Sequence, residues 1–170
     1  GCGVSAGVDK RGMGRLNLYC DSSDAPSSRY ARLVPLWEVR PEFQVSAIGA
    51  LDAQFGPFQE KTSLAASILA SVDVATQEHF DHYWEQLLQV RGDSDLADVP
   101  ESLLRSTYWD LIELSAAYCV MRRCGGDAGR YIDASDFQGI EQFNTLETTN
   151  ALGIQTAVIA AERLDIIALE

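Results

Sequence analysis

Residues 59–91 read QEKTSLAASILASVDVATQEHFDHYWEQLLQVR, the longest stretch of the chain without proline or glycine. Leu64, Ile68, Leu69 and Val72 recur at helical spacing. Phe80, Tyr83, Trp84, Leu87 and Leu88 continue the pattern, with Glu78, Asp81, Glu85 and Gln89 between them. A period of 3.6 with a polar opposite face specifies an amphipathic helix rather than a strand. The patch Ser71-Val72-Asp73-Val74 is β-branched and rich in cap formers. Two helices, with Asp73 capping the second, are therefore an open alternative. The aromatic residues gather in the second half, which is expected to form the thick part of a core.

Working outward, Pro100-Glu101-Ser102 opens a second helix, with proline in the first turn and an acid at the positive end of the dipole. Leu104, Tyr108, Leu111, Ile112 and Ala116 follow at helical steps, and Arg122-Arg123-Cys124-Gly125-Gly126 is a stop signal. Residues 109–121 are rich in strand formers, so a hairpin is the competing reading there. Upstream, Pro41 opens a helix through Phe43, Ala47, Leu51 and Phe55, stopped by Gly56-Pro57. Residues 29–40 allow one or two short strands, although Pro35 disfavours a central one. Downstream, Asp133 or Ser135 caps a short helix with Phe137, Ile140 and Phe143. Thr148-Thr149-Asn150 then leads into a last helix over 151–169, whose nearly apolar run from Ile154 is expected to be deeply buried.

The expected fold is mainly α, a single domain of about five or six helices over residues 29–170, after a weakly structured N-terminal segment, residues 1–28. The expected core is Phe43, Leu51, Leu64, Ile68, Phe80, Trp84, Leu87, Leu104, Tyr108, Ile112, Ile154, Val158 and Leu164.

The 170 residues carry 13 Lys+Arg against 25 Asp+Glu. Residues 1–35 are net +2 and residues 36–170 net −14. An acidic body of this kind repels nucleic acid and anionic lipid and suits either a basic protein partner or plain solubility. No apolar run is long enough to span a bilayer. A cytoplasmic location is favoured. The start Gly1-Cys2-Gly3 also fits a mature lipoprotein N-terminus with one residue left over, which would make the protein lipid-anchored in the envelope.

The four cysteines, Cys2, Cys20, Cys119 and Cys124, show no zinc-site spacing, and Cys119 is expected to be a buried small hydrophobe. His79, His82 and Glu85 lie at successive steps of three on one helix and could offer nitrogen and oxygen to a metal ion. The bland alternative is a solvated helix face, because the order is His-x-x-Glu and no third histidine exists. No cofactor is otherwise implied. Gly125-Gly126-Asp127-Ala128-Gly129-Arg130 lacks the Lys-Ser/Thr ending of a phosphate loop and reads as a turn. The acids Asp93, Asp95, Asp98 and Glu101 fall where a linker should meet solvent and are the candidate partner-binding residues.

Tyr108-Trp109-Asp110-Leu111-Ile112-Glu113-Leu114-Ser115, with Met121, resembles the Trp–Glu-Leu-Ser–Met segment of ArdB/KlcA antirestriction proteins. Ala151-Leu152-Gly153-Ile154 is similar to the start of a later helix in that family. The resemblance implies an antirestriction role and a hairpin after the Glu-Leu-Ser. Ser115-Ala116-Ala117 departs from the family's Asn-Gly-Gly and favours a continuing helix. The leading expectation is an acidic helical protein-binding domain, such as an inhibitor or immunity-type antagonist of a basic partner. The alternatives are a metal-binding or enzymatic protein built on His79, His82 and Glu85, a structural or assembly subunit, and an antirestriction-like protein.

Overall fold

The computed structural model describes residues 2–8, 14–20 and 38–170. The chain divides into two units, Gly1–Leu36 and Trp37–Glu170. In the first, strands β1 (Cys2–Val8) and β2 (Gly14–Cys20) pair antiparallel, with Cys2 opposite Cys20 and Val8 opposite Gly14. This pairing falls inside the segment 1–28 expected to be weakly structured. The strands that were expected near residues 30–40 lie mostly outside the described residues. Residues 38–40 have no regular structure, but the Val39 N–H donates to the Cys124 carbonyl at 3.0 Å and Val39 is buried.

The second unit is mainly α. Its four α-helices are α1 (Gln44–Phe55), α2 (Leu64–Val90), α3 (Glu101–Arg123) and α4 (Leu146–Ala168). The short helix expected around Phe137 and Ile140 is instead a pair of 3₁₀ turns, Ala134–Phe137 and Ile140–Gln142. Gly139 separates them at φ +86°, a conformation glycine adopts without penalty. Helix α2 packs against α1, α3 and α4, and α4 also packs on α1 and α3.

Helix α2 is continuous through Asp73, so the two-helix alternative falls away. Its cap is Ser63, whose hydroxyl accepts the Ala66 N–H at 3.1 Å. Ser71 and Thr76 donate back to the carbonyls of Ile68 and Val72 at 2.8 and 3.0 Å. Hydroxyls satisfied within the helix do not compete with it. Ser67, Ser71, Val72 and Thr76 are all buried, so packing favours continuity across the patch.

Helix α3 begins and ends where its signals place it. The Gly126 N–H reaches the Met121 carbonyl at 2.8 Å, and Gly125 takes φ +78°, the left-handed close of a helix. Leu104, Tyr108, Leu111, Ile112, Ala116 and Val120 are buried along one stripe. The strand reading of residues 109–121 is excluded by this unbroken helix. The helix also runs straight through Ser115–Ala117, where antirestriction proteins would form the expected hairpin.

Helix α4 starts five residues earlier than expected. Thr145 and Thr148 form a capping box, each hydroxyl accepting the other residue's backbone N–H at 3.2 Å. Its buried face holds Leu152, Ile159, Ala160 and Ile167 together with the polar Gln155 and Arg163. Ile154 and Val158, expected in the core, are 57% and 54% exposed, and Leu164 is only partly buried. The long apolar run is therefore not deeply buried throughout. Hydrogen bonds select the inner face: Gln155 Nε2 donates to Gln86 Oε1 at 2.6 Å, and an Arg163 amino group donates to the Ser71 carbonyl at 2.8 Å. Burying these two groups is tolerable because both meet partners on α2, and Arg163 also pairs with Glu162 on α4.

Two further core assignments differ from the pattern. Phe43 is 38% exposed, because it precedes α1 in a 3₁₀ turn, Pro41–Phe43, rather than lying on the helix face with Ala47 and Leu51. Leu64, in the first turn of α2, is half-buried. The remaining expected core residues, Leu51, Ile68, Phe80, Trp84, Leu87, Leu104, Tyr108 and Ile112, are all buried.

Candidate binding surface

The connection between α2 and α3 carries three exposed acids, Asp93, Asp95 and Asp98, and the exposed Glu101 opens α3 directly after it. The connection is a fixed turn structure rather than a loose linker. Residues Arg91–Asp93 form a 3₁₀ turn, and successive backbone bonds follow, from Ala97 N–H to the Ser94 carbonyl and from Val99 N–H to the Leu96 carbonyl. Leu96 is fully buried and plugs the connection into the core. The Asp95 N–H donates to the Asn144 side-chain oxygen at 3.1 Å, which ties the connection to the segment before α4. Asn144 itself lies between Glu141 and Glu147, both exposed. The apolar plug and the Asn144 tether hold the acids outward at one end of the bundle.

The proposed metal trio has a different setting. His79, His82 and Glu85 are all exposed on α2, and His82 shares a 2.9 Å contact with the Gln86 side chain. Among the described residues, no group of three His, Cys, Asp or Glu side chains is placed to hold a metal ion.

The cysteine expectation is reversed. Cys119 is exposed, while Cys124 is buried and burial pushes its thiol up to about 11. The order follows from the helix stripe, which turns Ala116, Ala117 and Val120 inward and Cys119 outward. Residues 125–130 form the expected turn. It closes on a three-residue 3₁₀ segment, with Arg130 paired to Asp127 at 3.2 Å, and not on a helix that could receive a phosphate. Between this turn and the start of α2 lies a cavity of about 380 Å³, floored by Leu64, Ile68 and Met121.

Two polar features were not legible from residue type. Glu113 on α3 faces Asp73 on α2. Burial first, and then the adjacent Asp73 carboxyl, push the Glu113 carboxyl up to about 8, against a contact from Trp109 that lowers it. Glu113 lies one position beside the buried Ile112 and four before Ala117, so its spacing on the edge of the stripe is the signal that was available. Arg163 on α4 is fully buried, with its guanidinium 4.0 Å from the centre of the Phe55 ring and 2.6 Å from Glu162. Burial lowers its pKa, and Glu162 opposes that shift. No sequence pattern marks it, because arginine on an apolar helix usually reaches solvent.

No family model, no curated protein and no solved structure matches this chain. The antirestriction resemblance thus rests on its two short segments alone. Among the described residues, no helix is long and apolar enough to cross a membrane.

Proposed function

We propose that the helical unit is an acidic protein-binding module, an inhibitor or immunity-type antagonist that engages a basic partner through the α2–α3 connection. One observation carries the reading: Asp93, Asp95 and Asp98, followed by Glu101 at the start of α3, are exposed on and beside a connection held by the buried Leu96 and the Asn144 tether. Charges on a pre-organised surface add attraction without the ordering cost of a flexible loop. Their field speeds encounter with a basic surface and fades as salt shortens the Debye length. The same field disfavours nucleic acid as a partner.

Mass spectrometry of co-purifying proteins identifies the partner, and stopped-flow association then tests the surface. Replacing Asp93, Asp95 and Asp98 together by Asn is expected to slow association several-fold at low salt, with little effect at high salt. Stability should stay within about 0.5 kcal/mol of the parent, because exposed charges contribute little to it. An unchanged rate at both salt concentrations would remove the connection as the recognition surface.

A further inference from the structure

We infer that the outer face of α4 seats an amphipathic helix of the partner whose apolar centre is flanked by Lys or Arg at both ends. This rests on the reading of an acidic module for a basic partner and adds the partner's shape. Glu147, Ile154, Val158, Ala161 and Asp165 are all exposed. At 3.6 residues per turn they fall within an arc of about 60°, so they form one line along the helix. Ile154 and Val158 remain 57% and 54% exposed at the centre of that line. Singly exposed aliphatic residues are ordinary, but an apolar centre aligned between acidic ends is a patterned surface.

Shape and charge select the occupant. Ala157 and Ala161 beside the two aliphatics carry only methyl side chains, so a second helix can lie close. Glu147 and Asp165 stand about 27 Å apart along the axis, at 1.5 Å per residue. The only basic residue of α4 is Arg163, which is fully buried, so the face has no cation of its own. A second copy of α4 laid on this face would set acid against acid in either direction: Glu147 on Glu147 when parallel, Glu147 on Asp165 when antiparallel. An anionic membrane meets the same repulsion. A helix with aliphatic residues at i, i+3, i+4 and i+7, and with cations in its first and last turns, satisfies both the centre and the ends.

The probe is a synthetic helical peptide of that design with terminal lysines, compared with its twin carrying glutamates, each titrated into the labelled protein by amide NMR. The lysine peptide is expected to saturate, with shift changes along the outer face of α4, and the glutamate peptide not to bind. Glu147→Lys with Asp165→Lys should reverse that preference. Ile154→Ser with Val158→Ser should weaken the lysine peptide at least about tenfold. Replacing Asp93, Asp95 and Asp98 by Asn should leave peptide binding on α4 in place. Absence of lysine-peptide binding would overturn the inference. So would shift changes confined to residues 93–101 and lost in the Asn triple variant, although the acidic connection would then survive as the recognition surface. A wild-type dimer dissolved by the Ile154/Val158 change in sedimentation equilibrium would put a second copy on the face. Binding to phosphatidylserine vesicles would put a membrane there. Either result overturns the proposed occupant.

Discussion

Helices α3 and α4 are the same length, 23 residues each, yet they meet the core by different rules. In α3 the apolar stripe turns inward as its spacing dictates, and the charged residues stay at the ends or the edges. In α4 two of the most aliphatic positions, Ile154 and Val158, turn outward, while Gln155 and Arg163 turn inward. Spacing decides a face only when one face is clearly more apolar than the rest. Helix α4 has no such contrast, so specific hydrogen bonds to α2 determine its rotation.

The strongest test of that contrast is a pair of truncations measured by urea denaturation. Ile112→Ala empties a fully buried site on α3 and is expected to cost about 2–5 kcal/mol. Ile154→Ala on α4 should stay within about 0.5 kcal/mol, because it removes a mostly exposed side chain. A large loss at Ile154 would mean that α4 is rotated from the orientation described, and the comparison would fail.

Arg163→Met asks what orients α4. Methionine keeps most of the stem volume but loses the bond to the Ser71 carbonyl and the stacking over Phe55. The expected loss is about 1–3 kcal/mol. Glu162→Gln removes the partner of a fully buried guanidinium and should cost stability as well, though less, because Glu162 itself faces solvent. A clear gain in the methionine variant would mean that desolvation of the buried guanidinium outweighs its contacts.

The smallest effect sharpens the α3 side. In the folded protein Glu113 holds its proton up to about 8, whereas its ordinary value is 4.5. The groups around it are Asp73 on α2, with Asp110 and Trp109 on α3 itself. Between those two values the native state binds more protons than the unfolded chain, so stability falls as pH rises from about 5 to 8. The loss should be about 1–2 kcal/mol after allowance for partial solvent screening. Glu113→Gln keeps the shape without the titration and should flatten this part of the curve. A pH dependence unchanged in that variant would assign it to other groups.

Much of this architecture was legible in the chain. The helices at 64–90 and 101–123 follow from their period and from their starts and stops, and so does most of the core from Leu51 to Ile112. The outward setting of Asp93, Asp95, Asp98 and Glu101 was legible because four acids in the nine residues 93–101, with a proline among them, resist burial. These are local properties, and a one-dimensional pattern records them.

Tertiary structure alone decided the rest. The continuity of α2 across Ser71 depends on what packs against it. Which edge residue of α3 meets another carboxyl depends on where Asp73 falls on the neighbouring helix. The rotation of α4 depends on Ser71 and Gln86, which are 92 and 69 residues away from their partners Arg163 and Gln155. Gln155 and Arg163 are buried against partners on another element, and no local spacing in the sequence encodes where those partners will stand.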